Sequence, residues 1–270
     1  ALVTGAARGQ GRSHARRLAA DGADLILVDV CGEVSTTEYA GATAADLAET
    51  AAYVEKEGRR AVTFEVDVRD LAALTRAVTD GVAELGRLDV VVANAGIFSS
   101  APVHELTEEV WDEMLAVNLT GVWKTVKATV PTLIEQGEGG SIILISSTGG
   151  TQGFPNFAHY VAAKHGVVGL MRSTANELGG QRIRCNVVQP TSVLTDMIDH
   201  EAMYRLFRPD LEQPTHADFR EACQSGMNVL PIPWIETADV SAAVAWLASD
   251  ESRYVTGIAL PVDAGAINKM

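Results

Sequence analysis

Seven short apolar runs, each closed by a turn residue, limit what this chain can fold into more than any other feature. They are Ala1–Thr4, Leu25–Asp29, Ala61–Glu65, Val90–Ala93, Ser141–Ile145, Arg184–Val188 and Ile258–Val262, all rich in Val, Ile or Leu. Runs of this length without polar alternation are what strands buried on both faces look like. Between them lie segments with helical periodicity: Gly11–Ala20, Ala44–Glu57, Leu71–Glu84, Glu108–Gln136, Phe157–Glu177 and Ala238–Ala248. Strands alternating with helices predict a doubly wound, seven-stranded parallel α/β sheet with helices on both faces. No repeat, low-complexity tract or linker interrupts the pattern, so residues 1–270 are expected to form a single domain.

Two stretches break the rhythm. Val30–Thr43 is longer than the usual connection between a strand and a helix. Thr191–Thr237 carries two weakly helical pieces, Met197–Phe207 and Ala217–Ser225, and reads as an excursion above the sheet. It holds Met197, Met203, Tyr204, Leu206, Phe207, Phe219, Met227 and Trp234, which together with Phe154 and Phe157 suit a lid over a hydrophobic ligand. Such side chains also serve as core or subunit contact, and about half are expected to do so.

Composition removes several classes of function. A formal net charge of −14 opposes nucleic acid and anionic membrane as partners, since both need a basic surface. No apolar run reaches the roughly 20 residues of a membrane span. Cys31, Cys185 and Cys223 are scattered, and the six histidines have no metal-ligand spacing, so no metal is expected and a reduced, cytoplasmic setting fits. The chain starts inside its first apolar run, which suggests a few further residues at that end in the natural protein.

Thr4-Gly5-Ala6-Ala7-Arg8-Gly9-Gln10-Gly11 follows the first run and opens a helix. Glycines there allow a tight turn and let the backbone approach a pyrophosphate at the positive helix end. An ordinary glycine-rich turn would share the pattern. Asp29 ends the second run, where a carboxylate can accept from an adenosine ribose and repel a 2′-phosphate; a loop or capping carboxylate is the alternative. Arg8 pulls toward a phosphate, but Asp29 outweighs it and no second cation follows, so NAD is expected rather than NADP.

Tyr160 and Lys164 lie four residues apart, on one face of a helix. An ammonium beside a phenol stabilises phenolate, which would make Tyr160 a usable acid or base near neutral pH. Ser147 closes the fifth apolar run and is placed to hold a substrate oxygen against that phenol, although Ser146 and Thr148 are neighbours of similar chemistry. Asn118, inside the long segment beginning at Glu108, is a poor helix former that would bend the helix, hold a water, or do nothing.

Taken together, Thr4–Gly11, Asp67, Asn94-Ala95-Gly96, Asn118, Ser147 and Tyr160-x-x-x-Lys164 resemble the short-chain dehydrogenase/reductase family over the whole chain, and with it a Rossmann fold. The resemblance implies that Tyr160 is the acid/base, Ser147 positions substrate, Lys164 grips the nicotinamide ribose and tunes Tyr160, and Asn118 supports a relay water. It also implies that Gly5, Arg8, Gly9, Gln10 and Gly11 cradle the cofactor, with Asp67 and Val68 against adenine. Asn94, Ala95 and Gly96 would brace the sheet beside it, and Pro190, Val193 and Thr195 would reach the nicotinamide. Thr191 stands where the family has a glycine.

Gly9–His14, the insertion after Asp29, His159–Gly166 and Phe207–Leu211 resemble the mycofactocin-coupled, carveol-dehydrogenase-like branch of the family. That likeness implies poorly exchanging NAD, an insertion that caps the adenosine end, and an external redox partner, mycofactocin. The implied reaction interconverts a hydrophobic secondary alcohol, terpenoid or alicyclic, and its ketone. The helices containing Asn118 and Tyr160 resemble those through which family members form homotetramers. His159 and His165 are expected at solvent or a subunit contact, without a catalytic role. The competing readings are a non-catalytic NAD-binding sensor or scaffold, and a dehydratase or epimerase on the same fold.

Overall fold

The computed structural model describes residues 1–269. Seven parallel strands form one sheet in the order β3-β2-β1-β4-β5-β6-β7. They are β1 (Leu2–Thr4), β2 (Leu25–Asp29), β3 (Ala61–Glu65), β4 (Val90–Ala93), β5 (Gly140–Ile145), β6 (Ile183–Pro190) and β7 (Ala259–Val262). Each expected run is therefore a strand: β2, β3 and β4 have the expected bounds, β1, β5 and β7 start one residue away, and β6 is longer at both ends. The chain reverses its direction of travel across the sheet between β1 and β4, and that switch point opens a crevice at the carboxyl ends of the strands.

Alternation along each strand feeds two cores. Leu2, Ile26, Val91, Ile142 and Val187 point to one face, while Val3, Leu27, Val92, Ile143 and Val188 point to the other. On the first face pack α3 (Leu71–Leu85), α5 (Val122–Gln136) and α6 (Ala158–Leu178). On the second pack α1 (Gly9–Ala20), α2 (Ala44–Lys56) and α9 (Thr237–Ala248). Neither face of a central strand reaches water, which is why the runs carry no polar alternation. Truncating a fully buried residue such as Ile143 to Ala would cost about 2–5 kcal/mol.

Helix ends follow local chemistry. Thr43 and Asp46 form a reciprocal capping box at the start of α2, Asp70 accepts from Ala73 N at 2.9 Å to begin α3, and Gly86 ends α3 in the left-handed conformation. The long expected helix from Glu108 is instead three pieces: α4 (Glu108–Leu115), a π-helical turn (Ala116–Gly121) and α5. Asn118 lies within that turn, and its amide bonds both backbone groups of Ile97. The excursion contributes α7 (Glu201–Phe207) and α8 (His216–Gly226). Among the described residues no helix is long and apolar enough to cross a membrane.

Candidate active site

At the switch point the glycine-rich turn presses against the loop after β4. A Cβ on Gly5 would lie 2.8 Å from Ala95 Cα, and one on Gly11 would lie 1.9 Å from the Gly5 carbonyl oxygen. Neither position admits a side chain, and Gly9, Gln10 and Gly11, the first residues of α1, line the crevice, where a helix start favours an anion. Asn94 Nδ2 donates to the carbonyls of Thr4 and Gly5 at 3.0 and 3.2 Å, and Thr4 Oγ1 accepts from Asn94 N and Ala95 N. These bonds lock the loops after β1 and β4 together. Gly5, Arg8, Gly9, Gln10, Gly11, Asp29, Asp67, Val68, Asn94, Ala95, Gly96, Tyr160, Lys164 and Thr195 all line this one cleft. Pro190 and Val193 line the adjoining cavity instead.

Asp29 serves the protein itself as well as facing the cleft. Its carboxylate accepts from Ala7 N at 2.9 Å and from Cys31 N at 3.1 Å. Arg8, which the sequence sets against it, turns elsewhere. Its guanidinium pairs with Asp196 at 3.0 Å, donates to the Ala40 carbonyl and lies 5.8 Å from the centre of the Tyr39 ring. A 2′-phosphate would have to compete with all three. Burial pushes the Asp67 carboxyl up, but bonds and charge from Arg69 outweigh that and hold it below the usual range. Arg69 also pairs with Glu113 at 2.7 Å.

The expected reactive groups converge where the cleft meets a second cavity. Ser147 Oγ accepts from Gly149 N at 3.1 Å and lies beside the Tyr160 phenol. Ser146 is committed elsewhere, since its hydroxyl donates to the Lys164 carbonyl at 2.9 Å. Lys164 Nζ sits 5.6 Å from the Tyr160 ring centre and donates to the Ile145 carbonyl at 3.0 Å. The expectation that Lys164 depresses the Tyr160 pKa is not met in this arrangement. Burial raises the phenol above its ordinary value, the Ser147 hydroxyl draws it back only in part, and burial lowers Lys164 to about 8. Asn118 does not reach the cleft directly but holds the Ile97 backbone behind Gly96, its Oδ1 lying 3.4 Å from where a Gly96 Cβ would stand.

Thr191 accommodates its position without a left-handed backbone and donates to Asn228 Oδ1 at 3.1 Å. The cavity beside Tyr160, about 810 Å³, is walled by Phe98, Phe154, Phe157, Met197, Phe207 and Met227 among others. That volume lies within the roughly 300–1,000 Å³ of small-molecule sites. Of the apolar residues expected over it, Phe219 and Trp234 instead stack on each other at 5.7 Å with Tyr204 alongside, forming the small core that holds the excursion together. His159 is also placed differently from expectation. It is fully buried, and its Nε2 lies 3.0 Å from Ser99 Oγ, because the ring fills the space under the loop that carries Phe98.

Sequence reasoning missed Tyr39. The insertion was expected at the adenosine end, yet it runs along the cleft to the reactive groups. Tyr39 Oη accepts from Phe98 N at 3.1 Å, and its ring lies 5.6 Å from that of His200 in the excursion. Val34 packs against the cluster of Val68, Ile97, Met114 and Val117, as Tyr160 also does, and Thr36 donates to Glu113 at 2.6 Å. The lone aromatic in an otherwise small and polar segment was the available signal.

A family model described as enoyl-(acyl carrier protein) reductase matches residues 5–266. A short-chain type dehydrogenase/reductase of Mycolicibacterium smegmatis is 56% identical, with 100% of this chain and 97% of that protein covered. This chain belongs to the short-chain dehydrogenase/reductase family. Another member, (-)-trans-carveol dehydrogenase of Rhodococcus erythropolis, is 53% identical over 100% of this chain and 97% of its own. A crystal structure of carveol dehydrogenase from Mycobacterium avium in complex with NAD superposes with a TM-score of 0.98 at 55% identity, covering 99% of this chain and 97% of that one. Short-chain dehydrogenases/reductases are oxidoreductases, and this chain is one of them.

Proposed function

We propose that the protein is an NAD-dependent dehydrogenase that interconverts a hydrophobic secondary alcohol, terpenoid or alicyclic and carveol-like, with its ketone. The observation that carries this reading is the position of Tyr160, which lines both the glycine-walled cleft and the apolar cavity. The cleft suits NAD: its glycine cradle has no room for side chains, the buried Gln10 Oε1 has no partner within the protein, and Asp29 stands where a ribose would lie.

When bound, NAD supplies the hydride acceptor or donor. The chain's residues supply the proton chemistry. In reduction, Tyr160 in its protonated form donates to the carbonyl oxygen while Ser147 Oγ holds that oxygen in place. In oxidation, Lys164 Nζ turns from the Ile145 carbonyl toward the phenol, stabilising the phenolate that takes the alcohol proton. Asn118 keeps Ile97 and the adjoining loop fixed beside Lys164. The apolar walls exclude water from the reacting carbon.

The same reading extends to the insertion, which covers the cleft and is tied to the excursion, so NAD is expected to exchange slowly and to be reoxidised in place by an external carrier such as mycofactocin. A homotetramer in the cytoplasm completes the proposal. Denaturing freshly purified protein and identifying the released nucleotide by mass tests the cofactor; near-stoichiometric NAD is expected, and NADP would overturn the assignment. Carveol and related alcohols, offered with an artificial electron acceptor and separately with free NAD, test the reaction. Failure of every such alcohol in both assays would sink it.

A further inference from the structure

Among the described residues, the wall of the apolar cavity beside Tyr160 contains one charged side chain, Lys269. It is carried there by a C-terminal segment with its own anchoring. Asp263 accepts from Gly265 N at 3.0 Å and from Ile267 N at 2.8 Å, folding the segment into a turn. Gln152 Nε2 donates to the Ile267 carbonyl at 2.7 Å, tying that turn to the loop that follows Ser147. Lys269 N donates to the Ala266 carbonyl at 3.2 Å, and Ala266 lines the same cavity. Lys269 Nζ donates to the Ser225 carbonyl at 2.9 Å, near the carboxyl end of α8. Among the described residues its partner is thus a neutral oxygen, and an ammonium has two further donors.

From this arrangement we infer that Lys269 recognises an anionic group on the substrate, so that the alcohol carries a carboxylate. The inference rests on the dehydrogenase reading for the hydroxyl end and adds the other end. Ser147 and Tyr160 take the hydroxyl, the aromatic and methionine side chains take the alicyclic body, and Lys269 takes the carboxylate. A net charge of −14 gives the molecule no general attraction for anions, so a local cation is what would recruit one. A charge-assisted hydrogen bond beside apolar walls is stronger than the same pair at an open surface. Two fixed ends also orient the ring, which selects one face of the carbinol carbon for reaction.

The test uses 4-hydroxycyclohexyl-acetate, -propanoate and -butanoate, each paired with its methyl ester. The ratio of kcat/KM for acid over ester is measured in the wild type, Lys269→Met and Lys269→Arg. At one chain length or more the wild type should favour the acid. Lys269→Met should lower that ratio about fivefold, and Lys269→Arg should retain most of it. Because each ratio is taken within one protein, a general loss of activity cancels. Calorimetric titration with cyclohexanebutanoate, which has no hydroxyl to oxidise, reads the same site without turnover, and its Kd should weaken about fivefold in Lys269→Met. If none of these alcohols reacts, and carveol fails in both assays above, but that Kd shift is seen, the dehydrogenase reading falls and the anion site stands. Esters matching acids at every length, with unchanged Kd in Lys269→Met, would overturn the inference.

Discussion

Tyr160→Phe deletes one oxygen and leaves the ring edge-on against Phe98, whose centre is 5.1 Å away. A general acid/base contributes about 10²–10⁴ in rate, so kcat should fall by roughly that factor while nucleotide retention persists. A sensor or scaffold would instead show no turnover in the wild type and keep its function unchanged in Tyr160→Phe. His14 supports a second expectation. It is buried between α1 and α9 with Nδ1 2.8 Å from Ser241 Oγ, and burial lowers its pKa to about 3. The unfolded chain binds a proton there near pH 6.5 and the folded one does not. Stability from this site is therefore complete above about pH 6.5 and is lost as pH falls toward 3, a few kcal/mol at most. Thermal melts at pH 7 and 4.5 should show a smaller acid penalty in His14→Gln than in the wild type; equal penalties would refute it.

At the scale of elements, the insertion and the excursion meet through Arg8, which touches Ala40 and Tyr39 on one side and Asp196 on the other. The Arg8–Asp196 pair is exposed and worth less than about 1 kcal/mol alone. Together with the carbonyl and ring contacts, its loss in Arg8→Ala should speed nucleotide release about five- to tenfold, measured by the NAD left after desalting. High salt should produce part of the same effect in the wild type. Strands such as Ile142–Ile145 were readable because burial on both faces leaves an unbroken apolar run. Asn118 marked Ala116–Gly121 as a weak point of the helix, but the π turn itself was not readable, since the Ile97 backbone that the Asn118 amide meets lies 21 residues away in sequence. Spacing put Tyr160 and Lys164 on one helix face, and the family resemblance added Ser147 and Asn118, whereas Tyr39 showed only as the lone aromatic of the insertion, because nothing local in a loop states which way it runs. The resting bond from Lys164 to the Ile145 carbonyl also escaped spacing, since it depends on how β5 and α6 pack.

For the molecule as a whole, Trp111 on α4 and Trp123 on α5 leave 36% and 42% of their surface exposed. In the tetramer proposed above, these two helices would carry the contact surfaces, and both tryptophans would be covered. Light scattering should give the mass of a tetramer, and Trp123→Glu should shift it toward smaller species; a wild-type monomer would refute the assembly. Tyr39, Val34 and Arg8 all line the nucleotide cleft. If they slow NAD exchange as proposed, the nucleotide would be a prosthetic group in kinetic terms, reduced and reoxidised in place like a flavin. The surrounding pool of free NAD and NADH would then no longer set the direction of the reaction. That direction would follow the potential of whichever carrier can reach the covered nicotinamide.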